Sequence, residues 1–246
     1  MPAPDQAPPL SLLDGAALFL DFDGTLVDLA DTPGAIAVGP HLPDLLARLQ
    51  RRLQGRIAIV SGRAVADLER HLDCSGIAVS GSHGAELSLP GVQPVGIAAP
   101  AELEALHAEA SAFASANGLI LEEKPAGLAL HYRLAPEAGG RAAEFIAEMA
   151  ERTGLSVQHG KMVVELRPTG ADKGAALAAL MREPPFAGAR PVFVGDDLTD
   201  EDAFAAAVKI GGAGVLVGPS RASEAQWRLA GVAETTRWLE AAARDA

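Results

Sequence analysis

The sequence predicts an α/β protein with a Rossmann-like, doubly wound parallel sheet and a smaller α+β segment inserted into it. Short apolar runs alternate with helical patterns near both ends of the chain, and such runs are typical of strands buried on both faces of a parallel sheet. In the middle of the chain this alternation gives way to a helix followed by a pair of strands, twice in succession. We therefore predict a discontinuous core formed by residues 1–88 and 169–246, and an inserted lid formed by residues 89–168.

The first core segment has the pattern strand, helix, strand, helix, strand. Leucines between residues 42 and 53 have the spacing of one helix face, and Gly55 ends that pattern. Residues 1–15 are rich in proline and polar side chains, and we expect them to be frayed. The predicted strands are 17–22, 56–60 and 77–79, and the predicted helices are 41–54 and 64–72.

The inserted lid and the second core segment follow. Pro90, Gly91, Pro168 and Gly170 mark the two expected hinges of the lid. In the lid the predicted helices are 100–116 and 137–152, and the predicted strands are 119–123, 128–134, 157–159 and 162–166. In the second core segment the predicted strands are 191–194 and 215–217, and the predicted helices are 172–181, 199–208, 221–230 and 234–244.

Composition and charge exclude several classes of protein. The 246 residues are 49% hydrophobic and 21% charged, which suits a globular core with a smaller insert. The net charge of -12 argues against nucleic-acid binding, and no apolar run is long enough for a membrane span. The residues before Leu13 lack the basic start of a secretory signal, and a lone Cys74 excludes a disulfide within the chain. We expect a cytoplasmic monomer that acts on a small molecule.

Two carboxylates, Asp21 and Asp23, directly follow the first predicted strand. Ligands of open parallel sheets bind beyond the carboxyl ends of the strands. Burying a carboxylate without a partner is costly, so a cation or a proton must compensate for this acid pair. The alternative interpretation is a turn or a helix cap after the strand.

Two further candidate residues, Ser61 and Lys173, lie at the predicted starts of helices. The hydroxyl of Ser61 and the backbone of Gly62 and Arg63 could bind a phosphate, although Ser61 could also simply cap the helix. A cation at a helix N-terminus opposes the helix dipole, so Lys173 indicates a nearby anion unless it is a solvated surface lysine.

An acidic cluster follows the predicted strand 191–194 and includes Asp196, Asp197 and Asp200. Helix capping by Thr199 or Asp200 explains one or two of these acids. It does not explain Asp196 and Asp197 at the end of a strand, whereas carboxylate oxygens are suitable ligands for Mg²⁺.

The order of these clusters resembles the four motifs of the haloacid dehalogenase superfamily of phosphotransferases. The resemblance implies that Asp21 is a nucleophile that forms an aspartyl-phosphate, and that Asp23 is the general acid and base. It implies that Ser61 and Lys173 hold the phosphoryl oxygens. It also implies Mg²⁺ bound by Asp21, the main-chain carbonyl of Asp23 and Asp196, with Asp197 or Asp200 in support.

Four longer segments, 81–86, 131–133, 160–168 and 195–201, resemble the trehalose-6-phosphate phosphatases within that superfamily. This resemblance implies that the lid reads the sugar and closes over the core. The implied sugar-reading residues are Lys161 and Glu165 on a lid strand, Lys124 and Arg133 on a lid hairpin, and His83 on a core loop.

Simpler interpretations and other functions stay open at this point. Arg133 could pair with Glu122 or Glu123, Lys161 could belong to a turn, and His83 could only shape its loop. The substrate could be another sugar phosphate, such as sucrose phosphate or a mannosyl phosphoglycerate, and a phosphomutase is a further alternative. A non-catalytic regulatory domain is disfavoured because Asp21, Asp23, Ser61, Lys173 and Asp196 are all present.

Overall fold

The computed structural model describes residues 3–30, 33–74, 76–92, 95–96 and 101–244. The contacts divide the chain into two compact units. The core unit comprises Met1–Leu29, Ala37–Val95 and Asp172–Ala246, and the insert unit comprises Ala30–Ile36 and Gly96–Ala171. Among the described residues, no helix has both the length and the apolar character that crossing a membrane requires.

The regular elements run along the chain as follows. The strands are β1 (Ala16–Leu20), β2 (Ile57–Val60), β3 (Ala78–Gly81), β4 (Glu86–Ser88), β5 (Val95–Gly96), β6 (Ile120–Lys124), β7 (Gly127–His131), β8 (Ser156–Gly160), β9 (Val163–Arg167), β10 (Arg190–Gly195), β11 (Ala213–Val217) and β12 (Trp227–Leu229). The α-helices are α1 (Leu42–Arg52), α2 (Val65–His71), α3 (Leu103–Asn117), α4 (Gly139–Thr153), α5 (Lys173–Leu180), α6 (Glu201–Lys209) and α7 (Val232–Arg244).

The core unit is built on one sheet with the strand order β12-β11-β10-β1-β2-β3-β4-β5. The neighbours from β12 to β3 are parallel, and β4 is antiparallel to β3. The predicted fold class is thereby confirmed. The strand order changes direction between β1 and β10, and such a switch point is where ligands bind in open α/β sheets.

Apolar side chains on the central strands explain why this sheet is covered on both faces. All five residues of β1 are buried. Ala17 and Phe19 belong to an apolar cluster with Leu177 of α5 and Phe204 of α6. Because side chains alternate along a strand, the neighbouring Leu18 projects to the opposite face. Burial on both faces fixes the ends of β1 and β10, and therefore the residues that follow them.

The insert unit is an antiparallel sheet, with the order β6-β7-β9-β8, packed against two helices. Leu128, Leu130, Val164 and Leu166 face an apolar cluster that includes Ile146 of α4. The alternate residues of the same strands lie on the other face of the sheet, and they include the charged Glu165 and Arg167 of β9.

Several predictions about single elements are wrong. The predicted helix 221–230 is not formed, since Trp227 lies in the parallel strand β12 and the preceding loop bonds to other elements. The antiparallel strand β4 was not predicted. The predicted strand 128–134 ends earlier, at His131, so Arg133 lies beyond it.

The N-terminal residues are also more ordered than the sequence predicts. Leu13 is buried, and the carbonyl of Gln6 accepts a hydrogen bond from the Arg228 N–H at 2.8 Å. The Ser220 hydroxyl donates to the carbonyl of Pro4 at 3.3 Å. These bonds attach the segment to β12 and the loop before it, so it is not frayed as expected.

Candidate active site

The centre of the core unit is a buried lysine between two buried aspartates. Lys173 Nζ donates to Asp21 Oδ1 at 2.8 Å and to Asp200 Oδ1 at 2.7 Å. The three residues are at most 4% exposed. Lys173 is the first residue of α5, whose N-terminus is capped by Asp172. Lys173 is therefore not the solvated lysine of the alternative interpretation, because its ammonium group is buried between Asp21, which follows β1, and Asp200, which lies in the helical turn after β10.

A third carboxylate, that of Asp196, completes this group. Oxygen atoms of Asp21, Asp196 and Asp200 all lie within 4.8 Å of one another. Asp196 lies so close to Gly24 that a β-carbon at position 24 would clash with its carboxylate. Gly24 also has a φ of +78°, so both the backbone and the space require glycine there.

The three carboxylates outnumber the single ammonium group, and this imbalance perturbs ionisation. Burial raises the pKa of Asp21 well above its usual value, and the nearby Asp200 and Asp196 raise it further against the opposing effect of Lys173. Burial alone would lower the pKa of Lys173, but the carboxylates of Asp200 and Asp21 raise it overall. The lysine is therefore held as an ammonium ion.

Asp197 has a different role from the other three acids. It is the N-cap of a short 3-10 helix, Leu198–Asp200, and its Oδ1 accepts the Leu198 N–H at 2.6 Å. Its own N–H donates to Asp200 Oδ2 at 2.9 Å. Helix capping thus explains the position of Asp197, although the sequence analysis had argued that capping does not explain this residue. The Asp197 N–H also helps to orient Asp200.

Arg63 binds the second carboxylate of the acid pair. Its Nε donates to Asp23 Oδ2 at 2.6 Å and its Nη2 donates to Asp23 Oδ1 at 2.8 Å. The remaining nitrogen, Nη1, donates to Asp67 Oδ2 on α2 at 2.7 Å. Bidentate pairing of this kind fixes both orientation and distance. In this structure the guanidinium group of Arg63 is directed at protein carboxylates.

Ser61 directly follows β2 and lies beside a strained loop. Its Oγ accepts the Arg63 N–H at 3.1 Å, whereas α2 begins later and has no side-chain cap, so Ser61 does not cap that helix. Ser82 and His83 both have left-handed backbone, with φ of 48° and 54°. Hydrogen bonds from the Ser82 N–H to the Arg63 carbonyl and from the His83 N–H to the Ser61 carbonyl hold this loop.

The ring of His83 lies against Gly62. A β-carbon at position 62 would stand 2.5 Å from Nε2 of His83, so only glycine allows this approach. The Ser82 hydroxyl donates to Glu86 on β4, which fastens the other side of the loop. His83 and the Ser61–Arg63 turn are therefore one packed assembly.

The polar face of the insert sheet contains a second buried lysine. Lys124 Nζ donates to Glu165 Oε2 at 2.8 Å, across the intervening strand β7. Burial alone would lower the pKa of Lys124, but the carboxylates of Glu165 and Glu122 raise it overall. Glu122 Oε2 in turn lies 2.8 Å from Nε2 of His131.

The other two predicted residues of the insert lie outside this cluster. Lys161 is exposed in the turn between β8 and β9, not on a strand, and the adjacent Met162 has a φ of 64°. Arg133 is half-buried and lies after the end of β7. The alternative interpretation paired Arg133 with Glu122 or Glu123, but in the structure His131 contacts Glu122.

Comparison with known proteins places this arrangement in a family. The family model described as trehalose-phosphatase matches residues 19–233, which include every residue of both clusters. The chain belongs to the trehalose-phosphatase family. Membership of the trehalose-phosphatase family confirms the resemblance noted in the sequence and identifies the reaction class as hydrolysis of a phosphoric monoester.

Individual members of the trehalose-phosphatase family are similar over most of their length. A protein of Sinorhizobium fredii named "Probable trehalose-phosphate phosphatase" is 43% identical over 84% of this chain and 79% of its own. The trehalose-6-phosphate phosphatase of Escherichia coli is 37% identical over 91% of this chain and 85% of its own. The C-terminal domain of the C. albicans trehalose-6-phosphate phosphatase superposes with a TM-score of 0.82, at 26% identity, over 98% of both chains.

The core cluster of this family member could hold a metal ion. Its donors are the carboxylate oxygens of Asp21, Asp196 and Asp200, which suit a hard divalent cation. The excess of negative charge there would be reduced by such an ion. The side chains of Asp23 and Asp197 lie outside this group, because one binds Arg63 and the other caps a helix turn.

Sequence reasoning assigned no supporting role to three carboxylates: it did not name Asp67, it included Glu86 only within a longer segment, and it considered Glu122 only as a partner of Arg133. Asp67 follows Arg63 by four residues, and this helical spacing could have indicated it. Glu122 precedes Lys124 by two residues on one strand, so alternation could have placed both on one face. No local signal indicates that Glu86 binds Ser82.

Proposed function

We propose that the protein is a Mg²⁺-dependent phosphatase that converts trehalose 6-phosphate to trehalose and phosphate. The observation that carries this proposal is the buried cluster of Asp21, Lys173 and Asp200 at the switch point of the sheet. It is supported by the names of the relatives in the trehalose-phosphatase family.

In the first step an Asp21 carboxylate oxygen attacks phosphorus and the bond from phosphorus to the sugar oxygen breaks. Asp23, which must be released from its ion pair with Arg63 and start in the protonated form, gives that oxygen a proton. In the second step Asp23 takes a proton from water, the water oxygen attacks phosphorus, and the aspartyl-phosphate bond breaks. The products are trehalose and inorganic phosphate, and both aspartates return to their starting forms.

The remaining core residues bind and orient the phosphoryl group. Lys173 offers a permanent ammonium group within hydrogen-bond distance of Asp21, so it can neutralise charge that develops on the phosphoryl oxygens. Ser61 offers its hydroxyl group to the phosphoryl oxygens, and Gly62, which has no side chain, lets its backbone lie close to them. Asp21, Asp196, Asp200 and the main-chain carbonyl of Asp23 would hold Mg²⁺, which when bound supplies positive charge to the phosphoryl oxygens.

The insert unit is proposed to read the sugar hydroxyls. Lys124, Glu165 and Glu122 form a polar group whose donors and acceptors suit paired hydroxyls rather than an ion. Lys161 and Arg133 are retained as proposed sugar contacts, since both have side chains with no hydrogen bond to the described protein residues. His83 is proposed to contact the substrate from the core unit.

A comparison of substrates tests this function. Phosphate release should be fastest with trehalose 6-phosphate, and slower with sucrose 6-phosphate, glucose 6-phosphate and p-nitrophenyl phosphate at equal Mg²⁺ concentration. Preference for another sugar phosphate would overturn the substrate and leave the phosphatase chemistry in place. No release from any phosphomonoester would overturn the enzymatic function, with the Escherichia coli relative as the positive control.

The monomeric state and the cytoplasmic location belong to the same proposal. Light scattering coupled to size-exclusion chromatography should give the mass of one chain, 25.2 kDa. A mass of two chains or more would contradict the monomer.

A further inference from the structure

A loop between β11 and β12 is folded around one carboxylate, that of Glu201. Glu201 is the first residue of α6, and its oxygens accept the Ser223 hydroxyl at 2.9 and 3.1 Å. They also accept the Glu224 N–H at 2.8 Å and a guanidinium N–H of Arg221. Donors from three residues of one loop therefore converge on a single side chain of another element.

The same guanidinium group reaches the acidic segment of the core cluster. Nη2 of Arg221 donates to the main-chain carbonyl of Asp197 at 2.9 Å. Asp197 is the residue whose N–H orients Asp200, at 2.9 Å from Oδ2. Nη1 of Arg221 therefore binds the Glu201 carboxylate, while Nη2 binds the peptide carbonyl of Asp197.

These bonds form one continuous path through the core unit. It runs from Glu201 to Arg221, to the backbone of Asp197, to the Asp200 carboxylate and to Lys173, which binds Asp21. Because Asp196 precedes Asp197 directly, a displaced Asp197 would move Asp196 as well. Charge-assisted hydrogen bonds are the strongest kind available for fixing such a segment.

We propose that Arg221, held by Glu201, is a positioning residue that fixes the Asp196–Asp200 segment in its metal-binding geometry. The inference rests on the proposed metal-dependent function, but it concerns residues outside the predicted catalytic and binding set. Residues that orient metal ligands typically contribute about 10–100-fold to metal affinity.

Metal binding without substrate tests this role. The free-protein affinity for Mn²⁺, used as a spectroscopic substitute for Mg²⁺, is measured by electron paramagnetic resonance. Arg221→Ala should raise the Kd for Mn²⁺ by about 10–100-fold. Arg221→Lys should restore part of the affinity, because an ammonium group can bind one of the two acceptors. Arg152→Ala, which breaks an exposed ion pair with Glu109 in the insert unit, is the matched control.

The kinetics separate positioning from general loss of structure. If Arg221 acts through the metal ligands, saturating Mg²⁺ restores kcat in Arg221→Ala, whereas a merely structural defect persists at every Mg²⁺ concentration. Ser223→Ala keeps both charged groups and should weaken Mn²⁺ binding less than Arg221→Ala. It keeps the test available if Arg221→Ala does not fold. An unchanged Kd in every folded variant at Arg221 and Ser223 would overturn the inference.

The outcome is distinguishable from failure of the proposed function. If wild-type protein binds no Mn²⁺ or Mg²⁺, the metal dependence itself is wrong. If the wild type binds metal but is inactive on trehalose 6-phosphate, only the proposed substrate is wrong, and the effect of Arg221 on Kd can still be measured.

Discussion

Each unit of this protein contains a buried lysine that binds a carboxylate at 2.8 Å, yet the two clusters differ in charge balance. In the core unit one ammonium group, that of Lys173, faces the carboxylates of Asp21 and Asp200, with Asp196 close by. In the insert unit the charges of Glu122 and Glu165 are offset by Lys124 and by the nearby Arg167.

This difference distinguishes two kinds of site that look alike as residue pairs. Excess negative charge in a buried place is costly unless a cation joins it, so the core cluster suits a metal ion and phosphoryl chemistry. A balanced cluster needs no ion and keeps polar groups that can exchange partners with hydroxyls. The sum of the charges, rather than the presence of a lysine, separates the proposed chemical site from the proposed sugar site.

The largest expected effect comes from the core nucleophile. Asp21→Asn keeps the shape of the side chain but removes the attacking oxyanion, so phosphate release should fall by more than about 10⁴-fold. Circular dichroism should show a folded protein. Asp28→Asn, an exposed acid of the same unit, is the control and should be fully active. Activity of Asp21→Asn within tenfold of the wild type would contradict the nucleophilic role.

Changing the charge excess itself should separate stability from activity. Asp196→Asn removes one of three neighbouring carboxylates, which should raise the melting temperature of the metal-free protein by a few degrees. The wild type at 100 times its Kd for Mg²⁺ should gain about 2.7 kcal/mol from the ion, and the variant much less. Thermal melts with and without EDTA measure both. Equal stabilisation of the two proteins by Mg²⁺ would show that Asp196 does not bind the ion.

In the charge-balanced cluster of the insert unit, removing a carboxylate should lower the stability of the protein instead of raising it. Glu165→Gln removes the carboxylate that binds the buried Lys124 at 2.8 Å, so the free energy of unfolding should fall by about 3–5 kcal/mol. The double variant Lys124→Met with Glu165→Leu should recover much of that stability. It should still lose about 10–150-fold in kcat/KM for trehalose 6-phosphate, from the loss of a charged hydrogen-bond partner.

The control reaction for these insert variants is hydrolysis of p-nitrophenyl phosphate, which has no sugar hydroxyls. The double variant should hydrolyse it at nearly the wild-type rate. Parallel losses with both substrates would mean that the Lys124–Glu165 pair is structural only.

The smallest effect is expected at Asp67 on α2, which is partly exposed and keeps the exposed Arg70 as one of its two arginine partners. Burial raises the pKa of Asp67, but the hydrogen bonds from Arg70 and Arg63 outweigh it together with their charges, so the pKa is lowered overall. Asp67→Asn should therefore cost less than about 1 kcal/mol at pH 7. A lowered folded-state pKa contributes stability above the unfolded pKa, which is lost as the pH falls through the folded value.

Urea unfolding of the wild type and of Asp67→Asn at pH 7 and at lower pH measures that contribution. The difference between the two proteins should shrink as the pH falls below the usual range of an aspartate. A difference that stays constant with pH would contradict an electrostatic origin.

Local sequence patterns predicted the central strands and the residues at their ends, because the burial of short apolar runs determines both. Apolar runs predicted the central strands, and the strand ends then indicated where Asp21, Ser61 and Asp196 would lie. The ion pairs of the two units join residues that are far apart along the chain. They are Arg63 with Asp23, Lys124 with Glu165, and Arg221 with Glu201. Strand register and loop packing create these pairs, and periodicity carries no information on either.

The helix wrongly predicted at 221–230 also shows that local sequence patterns do not reveal contacts between distant parts of the chain. Its sequence has no proline, and its apolar spacing favours a helix. In the structure Gln226 is bonded to the backbone of Gly214 on β11, and Trp227 begins a strand beside Val215. Tertiary hydrogen bonds at the edge of the sheet outweigh the local preference.

The left-handed loop at Ser82 and His83 bears on how this protein responds to selection. Such backbone in non-glycine residues costs of order 1 kcal/mol or more at each position, and the surrounding hydrogen bonds must overcome that cost. Glycine at position 82 would adopt the same conformation freely. A library selected only for heat resistance should therefore enrich glycine there, while one selected for turnover should retain serine, whose hydroxyl keeps the loop fastened to Glu86.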